Sequence, residues 1–212
     1  MAEELFDIYD ESMNPIGTAT RSETHAKGYW HRSFHCWLVR VDDSRRWVRF
    51  QRRQLVKDTN PGCYDITAAG HLTAGETMRE AARELEEELG ITARFDELVP
   101  LGQVREDASG IIRGRLFIDR EVSDVFALRC DLPLSAFQLQ PEEVAGIYEA
   151  ELADMLALFR GELASLEASG FELEEDGLRL APCVRTVRAE EFVPRDDSYY
   201  VDVMLQLLGL EL

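Results

Sequence analysis

The stretch GHLTAGETMREAARELEEELGI, residues 70–91, combines a loop bounded by Gly70 and Gly75 with a strongly acidic segment. Glycine permits backbone conformations and close approaches that other residues cannot make. Gly90 stands where a glycine in the left-handed conformation commonly ends a helix. The stretch therefore predicts a loop, a helix over residues 76–89 and a defined stop.

The predicted helix has two different faces at about 100° per residue. One stripe is apolar and can pack against a core: Met78, Ala82, Leu85 and Leu89. Glu84, Glu87 and Glu88 share a second face, where neighbouring like charges repel by about 0.2–0.5 kcal/mol each. That face is either a solvated surface or a site for a hard cation such as Mg²⁺, which prefers carboxylate oxygens. The adjacent Arg83 can hold a carboxylate by a bidentate pair.

The rest of the chain mixes strand and helix patterns. Strands are predicted around Asn14, in a hairpin over residues 33–53, and in LVPLGQVRE, IIRGRLFID, EVSDVFALRC and EVAGIYEA. Helices are predicted at ELADMLALFRG and at SYYVDVMLQLLGLEL. Residues 163–193 are interpreted as an insertion that contains a hairpin, because about 30 residues cannot bury a core of their own. We therefore predict one domain over residues 1–212, of the α+β class with a mixed sheet.

The acidic stretch resembles the box of the Nudix hydrolase family, G-x5-E-x7-R-E-U-x-E-E-x-G-U, where U is a bulky apolar residue. The matching residues are Gly70, Glu76, Arg83, Glu84, Leu85, Glu87, Glu88, Gly90 and Ile91. Between Glu76 and Arg83 the chain has one residue fewer than the pattern, which changes the entry into the helix. The resemblance implies the Nudix α/β/α sandwich over roughly residues 1–160 plus the last helix.

This resemblance implies hydrolysis of a nucleoside diphosphate linked to another moiety X, or of a related diphosphate, by metal-activated water. The implied cofactor is Mg²⁺, with Mn²⁺ as an alternative, and its ligands would be Glu84, Glu87 and Glu88. The candidates for the general base are Glu88 and Glu121. Magnesium would bridge the phosphoryl oxygens and lower the pKa of a water molecule.

An acidic protein also needs local positive charge to hold a diphosphate. The chain carries 41 acidic and 23 basic residues, a formal net charge of -18, which disfavours binding to nucleic acid polymers. The basic run RRWVRFQRRQLVK, residues 45–57, contains no acid. Its last bases, Arg53 and Lys57, lie nearest in sequence to the box and are the predicted phosphate contacts. Gly70 is predicted to allow close approach of the substrate.

The chain has four histidines: His25, His31 and His35 precede the box, and His71 lies in the box loop. Imidazole is a common ligand of transition metals. The arrangement is similar to type I isopentenyl-diphosphate isomerase, whose metal ligands are matched by His31, His71, Asp119 and Glu121, with His25 displaced by one position. Arg53 and Lys57 match its diphosphate-binding bases. The histidines either retain a second metal or are structural.

The isomerase resemblance fails at one position. Its catalytic cysteine precedes the glycine of the box loop, where this chain has Ala69, which can act neither as acid nor as base. The leading hypothesis is therefore a Mg²⁺-dependent Nudix hydrolase, from an isomerase-like branch, acting on a small-molecule diphosphate. The alternatives are an isopentenyl-diphosphate isomerase-like enzyme and a non-catalytic, ligand-sensing Nudix module.

Compartment and assembly follow from weaker signals. The apolar runs fall short of the roughly 20 residues that span a bilayer, and the acidic N-terminus has no apolar signal core. The cysteines are scattered and form no CxxC pair, which is typical of reduced thiols. We expect a cytoplasmic protein without a membrane partner. A homodimer is also considered, with residues 163–193 as either a cap on the pocket or an interface.

Overall fold

The computed structural model describes residues 3–43, 45–112, 114–174, 177, 179–196 and 198–211. The strands are β1 (Leu5–Tyr9), β2 (Pro15–Thr20), β3 (Trp30–Asp42), β4 (Arg45–Arg53), β5 (Tyr64–Asp65), β6 (Ala68–His71), β7 (Val99–Ile112), β8 (Arg115–Arg129), β9 (Val144–Glu151), β10 (Leu166–Leu173) and β11 (Leu180–Val187). The helices are α1 (Arg21–Lys27), α2 (Met78–Ala81), α3 (Glu84–Leu89), α4 (Leu152–Phe159) and α5 (Tyr199–Gly209).

Strand β3 is the centre of the sheet. It pairs antiparallel with β4 and β6, and parallel with β8. The parallel register sets His31 opposite Glu121 and continues to Val39 opposite Arg129. Because most other pairings are antiparallel, the sheet is mixed, as the sequence predicted.

The sheet extends away from β3 in two directions. On one edge of β3, β4 leads to β9, β10 and β11, and β1 pairs at Trp30 and forms a hairpin with β2; β8 lies on the opposite edge. The predicted insertion, residues 163–193, supplies the antiparallel pair β10 and β11, which joins the sheet through β9. Strand β8 pairs on its other side with β7.

Alternate side chains of β3 enter two cores on opposite faces of the sheet. Trp37 and Val39 pack with residues of α4 and α5, such as Met155 and Met204. Phe34, Cys36 and Leu38 pack in a second cluster with α3 residues Leu85 and Leu89. Helices therefore cover both faces, which gives the predicted α/β/α sandwich.

The predicted continuous helix over residues 76–89 is wrong, because α2 and α3 are separate. The Arg83 N–H donates to the Glu80 carbonyl at 3.0 Å and the Leu85 N–H donates to the Ala82 carbonyl at 3.2 Å. These three-residue bonds make a tight turn between the helices. In an unbroken helix, one missing residue would rotate everything beyond it by about 100°. The turn lies at the end of this shortened spacing, and α3 still ends at Gly90, whose φ is 69°.

The prediction of a single strand at IIRGRLFID is also wrong. That segment contains the turn between β7 and β8, with Ile112 paired to Arg115. Gly114 has a φ of 77°, a left-handed conformation that glycine adopts without steric cost. The alternating pattern continues on both sides of this turn, so periodicity could not locate it. The other predicted strands, α4 and the closing helix α5 are confirmed.

Within the described ranges, the helices are too short or too polar to cross a membrane.

Candidate active site

One cavity of about 580 Å³ brings the predicted residues together. Its lining includes the box residues Gly70, Glu84, Glu87 and Glu88; the bases Arg53 and Lys57; and the candidate ligands His25, His71, Asp119 and Glu121. His31, the remaining predicted ligand, is fully buried beside the lining. Two stretches far apart in sequence, the box and the β7–β8 hairpin, therefore face the same space.

Gly70 allows the carboxyl group of Glu84 to approach strand β6. A Cβ atom at position 70 would lie 2.3 Å from Cδ of Glu84 and 2.5 Å from its Oε1. Real Cβ atoms do not reach such distances, so any larger residue would displace the carboxylate. The glycine of the box is thus explained by a contact with a box acid.

Arg83 gathers the carboxylates of the box. Its Nε lies 2.8 Å from Oε1 of Glu76, and its Nη2 lies 3.2 Å from Oε2 of the same residue. Its Nη1 contacts Glu84 at 2.8 Å and Glu87 at 2.6 Å. Glu76 also accepts a hydrogen bond from the Thr73 backbone at 2.8 Å. Despite the shortened spacing, Glu76 therefore orients Arg83, and Arg83 holds two candidate ligands side by side.

Glu88 is buried without an ion pair among the described residues. Its Oε2 accepts hydrogen bonds from the Gln51 side chain at 3.2 Å and the Ala69 backbone at 3.3 Å. Burial, reinforced by the charge of Glu84, raises the pKa of Glu88 to about 8. Burial likewise raises the pKa of Glu84 to about 7, against the opposing effect of Arg83. The two acids would lose their protons more readily if a cation lay beside them.

His25, His31, His71, Asp119 and Glu121, here called the histidine cluster, form a second group of candidate ligands. Single ligand atoms of His25, His31 and His71 lie within 4.8 Å of one another, as do those of His31, Asp119 and Glu121. Nε2 of His71 lies 2.7 Å from Oε1 of Glu121, and Nε2 of His31 lies 3.3 Å from it. In the described part of the chain, Glu84, Glu87 and Glu88 do not converge as tightly.

Three buried atoms of this cluster form no well-aligned hydrogen bond among the described residues, although they face one another at 3.3–3.7 Å: Nε2 of His25, Nε2 of His31 and Oδ1 of Asp119. The other ring nitrogens face backbone carbonyls, with Nδ1 of His25 2.8 Å from the Arg21 oxygen and Nδ1 of His31 3.2 Å from the Tyr29 oxygen. Each Nδ1–H therefore donates outward, and each Nε2 faces a carboxylate oxygen, Asp119 at 3.3 Å for His25 and Glu121 at 3.3 Å for His31. Buried lone pairs facing one another are unfavourable unless a proton or a cation lies between them.

Proton sharing within the cluster favours the ionised carboxylate. Burial alone would raise the pKa of Glu121, but the His71 and His31 imidazoles outweigh it and hold that pKa well below its usual value. Burial alone would lower the pKa of His31, but Glu121 and Asp119 outweigh it and raise that pKa. Glu121 is therefore ionised and paired with His71 and His31.

The cations of the cavity are already paired with acids. Nη1 of Arg53 lies 3.0 Å from Asp65, and Lys57 contacts Glu143. Sequence reasoning missed a further base, Arg195, which also lines the cavity. Its guanidinium contacts Asp65 at 3.2 Å and Glu106 at 2.8 Å. No local signal marks Arg195, because its partners lie far away in the sequence.

Replacing Glu88 with glutamine should make the protein more stable at high pH. Because folding raises the pKa of Glu88 from 4.5 to about 8, the folded state binds this proton more tightly, and wild-type stability falls as pH rises through that window. The Glu88→Gln variant has no carboxyl at this position and therefore does not lose this stability as the pH rises. In EDTA, its Tm should match wild type near pH 4 and exceed it by several degrees near pH 8.5, as circular dichroism would show.

Glu86→Gln is the matched control, because Glu86 is exposed on the same helix. Its Tm difference from wild type should not change with pH. An equal Tm difference for Glu88→Gln at both pH values would contradict the buried, protonated carboxyl.

Comparison with known proteins supports the architecture seen in the structure. A crystal structure of a Deinococcus radiodurans protein aligns with a TM-score of 0.54 at 22% identity, over 74% of this chain and 90% of that one. At this identity the likeness shows the fold alone.

Sequence relatives identify the family. Residues 29–167 match the family model described as the NUDIX domain. An uncharacterised Nudix hydrolase of Clostridium acetobutylicum is 34% identical over 208 residues, covering 98% of each chain. An isopentenyl-diphosphate Δ-isomerase of Corynebacterium diphtheriae is 36% identical over 126 residues, which is 58% of this chain and 66% of that protein. The chain therefore belongs to the Nudix hydrolase family, on a branch whose relatives include isopentenyl-diphosphate isomerases.

Proposed function

We propose that this protein hydrolyses a small-molecule diphosphate, of the nucleoside diphosphate–X type, with Mg²⁺ held by Glu84, Glu87 and Glu88. The observation that carries the proposal is the state of Glu88. This carboxyl is buried in the cavity wall, accepts two hydrogen bonds and has no ion pair among the described residues. A hard divalent cation is the partner that such an oxygen prefers.

The charge distribution of the cavity supports binding of a metal–diphosphate complex. The box side carries Glu84, Glu87 and Glu88, and the bases Arg53 and Lys57 line the same space. A bare diphosphate would be repelled by the acids, whereas its magnesium complex would face carboxylates through the metal and bases through the remaining oxygens. When bound, Mg²⁺ would screen phosphoryl charge and lower the pKa of a water molecule.

Glu88 is the better of the two predicted general bases. The pKa of Glu121 is held well below its usual value by His71 and His31, which makes Glu121 a weak proton acceptor. Burial raises the pKa of Glu88 to about 8, and a cation beside it would lower that pKa toward the working pH. A base with a pKa near the working pH accepts a proton most effectively.

The histidine cluster is proposed as a second metal site, for a transition-metal ion. Its donors are His25, His31, His71, Asp119 and Glu121, which match the nitrogen and oxygen preferences of such ions. The buried atoms His25 Nε2, His31 Nε2 and Asp119 Oδ1, which face one another without a well-aligned hydrogen bond, support this proposal.

An isomerase-like activity is the second candidate. The histidine cluster favours it, and Corynebacterium diphtheriae has an isopentenyl-diphosphate Δ-isomerase that is 36% identical over 126 residues. Against it stands Ala69, which lines the cavity with a methyl group that cannot transfer a proton. The homodimer and the role of residues 163–193 stay predictions.

Hydrolysis should depend on the box carboxylates. The protein is incubated with Mg²⁺ and nucleoside diphosphates, nucleotide sugars, dinucleotides or isopentenyl diphosphate, and released phosphate or monophosphate is measured. Glu87→Gln should lower kcat/KM by more than the roughly 10–100-fold that removal of an outer-sphere metal partner costs. Glu86→Gln should retain near wild-type activity, because Glu86 is exposed on the same helix and does not line the cavity.

Other products would contradict this assignment. Migration of a double bond without phosphate release would indicate the isomerase. Tight binding of a compound without turnover would indicate a sensing module. Full activity of Glu87→Gln would contradict the proposal that the box carboxylates bind the metal ion.

Gly70→Ala should weaken metal binding at the box while the protein stays folded. The added Cβ would displace the Glu84 carboxyl, which lies 2.3 Å from the position it would occupy. We expect Mn²⁺ affinity at this site to fall roughly 10-fold or more, measured by calorimetric titration. Gly110→Ala is the control, since Gly110 lines the same cavity and a Cβ there meets no atom within 4 Å. Equal Mn²⁺ affinities for the two variants would contradict the role of Glu84.

A further inference from the structure

His35 lies in the cavity but belongs to neither the box nor the histidine cluster. It is on β3, opposite Ala69 of β6 in the sheet register. Its side chain is buried at 2% exposure and lines the cavity. Its position four residues after His31 puts both imidazoles on the same side of the strand.

Two aromatic residues determine which ring nitrogen of His35 carries the proton. Nε1 of Trp37 lies 3.3 Å from the Tyr199 hydroxyl oxygen, and an indole nitrogen can only donate. The same hydroxyl lies 3.1 Å from Nδ1 of His35. Among the described residues, the buried Tyr199 hydroxyl has no other acceptor for its own proton. It therefore donates to Nδ1, and the neutral His35 ring carries its proton on Nε2.

Burial keeps both groups in these protonation states. Burial, reinforced by the charge of Arg195, lowers the pKa of His35 to about 3. Burial also raises the pKa of Tyr199 above its ordinary value, so the hydroxyl stays protonated. His35 is thus a neutral imidazole with a fixed tautomer across the physiological range.

The Nε2–H group of His35 is available to donate a hydrogen bond to a ligand in the cavity. No acceptor among the described residues bonds to it, and it is not one of the fully buried atoms that lack a partner. Arg195 lies nearby, with its guanidinium 5.1 Å from the ring centre of Tyr199. A free N–H donor beside a guanidinium is suited to an anionic oxygen.

We propose that His35 donates a hydrogen bond from Nε2 to a phosphoryl oxygen of the bound diphosphate, and that Tyr199 and Trp37 position it. This inference rests on the proposed function, because it presumes a diphosphate in the cavity. It assigns a substrate contact to β3, positioned by α5, outside the box. Tyr199 is a positioning residue, since it acts on the ligand only through His35.

The tautomer is tested by nitrogen-15 NMR of the histidine side chains, with the His35 signals assigned from their loss in His35→Leu. Wild type should show a protonated Nε2 and an unprotonated Nδ1. Tyr199→Phe removes the donor to Nδ1 and should give a mixture of tautomers. Tyr200→Phe is the matched control: its hydroxyl donates to the Val193 carbonyl at 2.8 Å, so its loss should leave His35 unchanged. A protonated Nδ1 in wild type would overturn the proposal.

The ligand contact is tested by adding Mg²⁺ with methylenediphosphonate, a diphosphate analogue that resists hydrolysis. The Nε2–H signal of His35 should shift on binding. His35→Leu should weaken binding about 10-fold, as expected for loss of a hydrogen bond to a charged group. His35→Gln, whose amide can still donate, should bind within roughly threefold of wild type.

The outcomes separate this inference from the proposed function. Binding by wild type without a shift of the His35 signal, or equal affinities for wild type and His35→Leu, would overturn the role of His35 and leave the hydrolase intact. Failure of wild type to bind Mg²⁺–methylenediphosphonate would overturn both.

Discussion

The pairing of β3 with β6 on one edge and β8 on the other is the constraint on which the rest of the structure depends. It sets His31 opposite Glu121 and His35 opposite Ala69. Alternate residues of β3 face the cavity and the core beneath α4 and α5, while those between them pack against α3. A slip of one residue would turn the histidines into the opposite core. A slipped register would expose apolar side chains on both faces. The register that keeps them buried therefore also fixes the positions of the polar side chains.

Around that strand the cavity concentrates charges that the protein alone does not fully balance. Arg83 neutralises part of the box, and the bases opposite are engaged by Asp65, Glu106 and Glu143. Among the described residues, Glu88 and the facing atoms of the histidine cluster have no Lys or Arg side chain in an ion pair with them. A chain with a net charge of -18 gains little by burying more carboxylates unless a ligand repays their desolvation. This imbalance is what a divalent cation and its diphosphate would correct.

The local spacing of residues in the sequence predicted much of the fold and part of the candidate site. The i, i+3 and i+4 pattern predicted the shared face of Glu84, Glu87 and Glu88, and alternation predicted most strands. The break between α2 and α3 was not predictable from periodicity, because the apolar stripe continues through it. Arg195 and the Trp37–Tyr199–His35 chain were missed because they join residues 89 or more positions apart. Such contacts are set by strand pairing, which a local pattern does not encode.

The most direct test is anomalous scattering from a crystal grown with Mn²⁺ and methylenediphosphonate. We predict a manganese peak in contact with oxygens of Glu84, Glu87 or Glu88 and with the ligand's phosphonate oxygens. A second peak is expected among His25, His31 and His71. An ordered diphosphonate in the cavity with no manganese beside the box carboxylates would contradict the central claim that these acids hold the cation that holds the substrate.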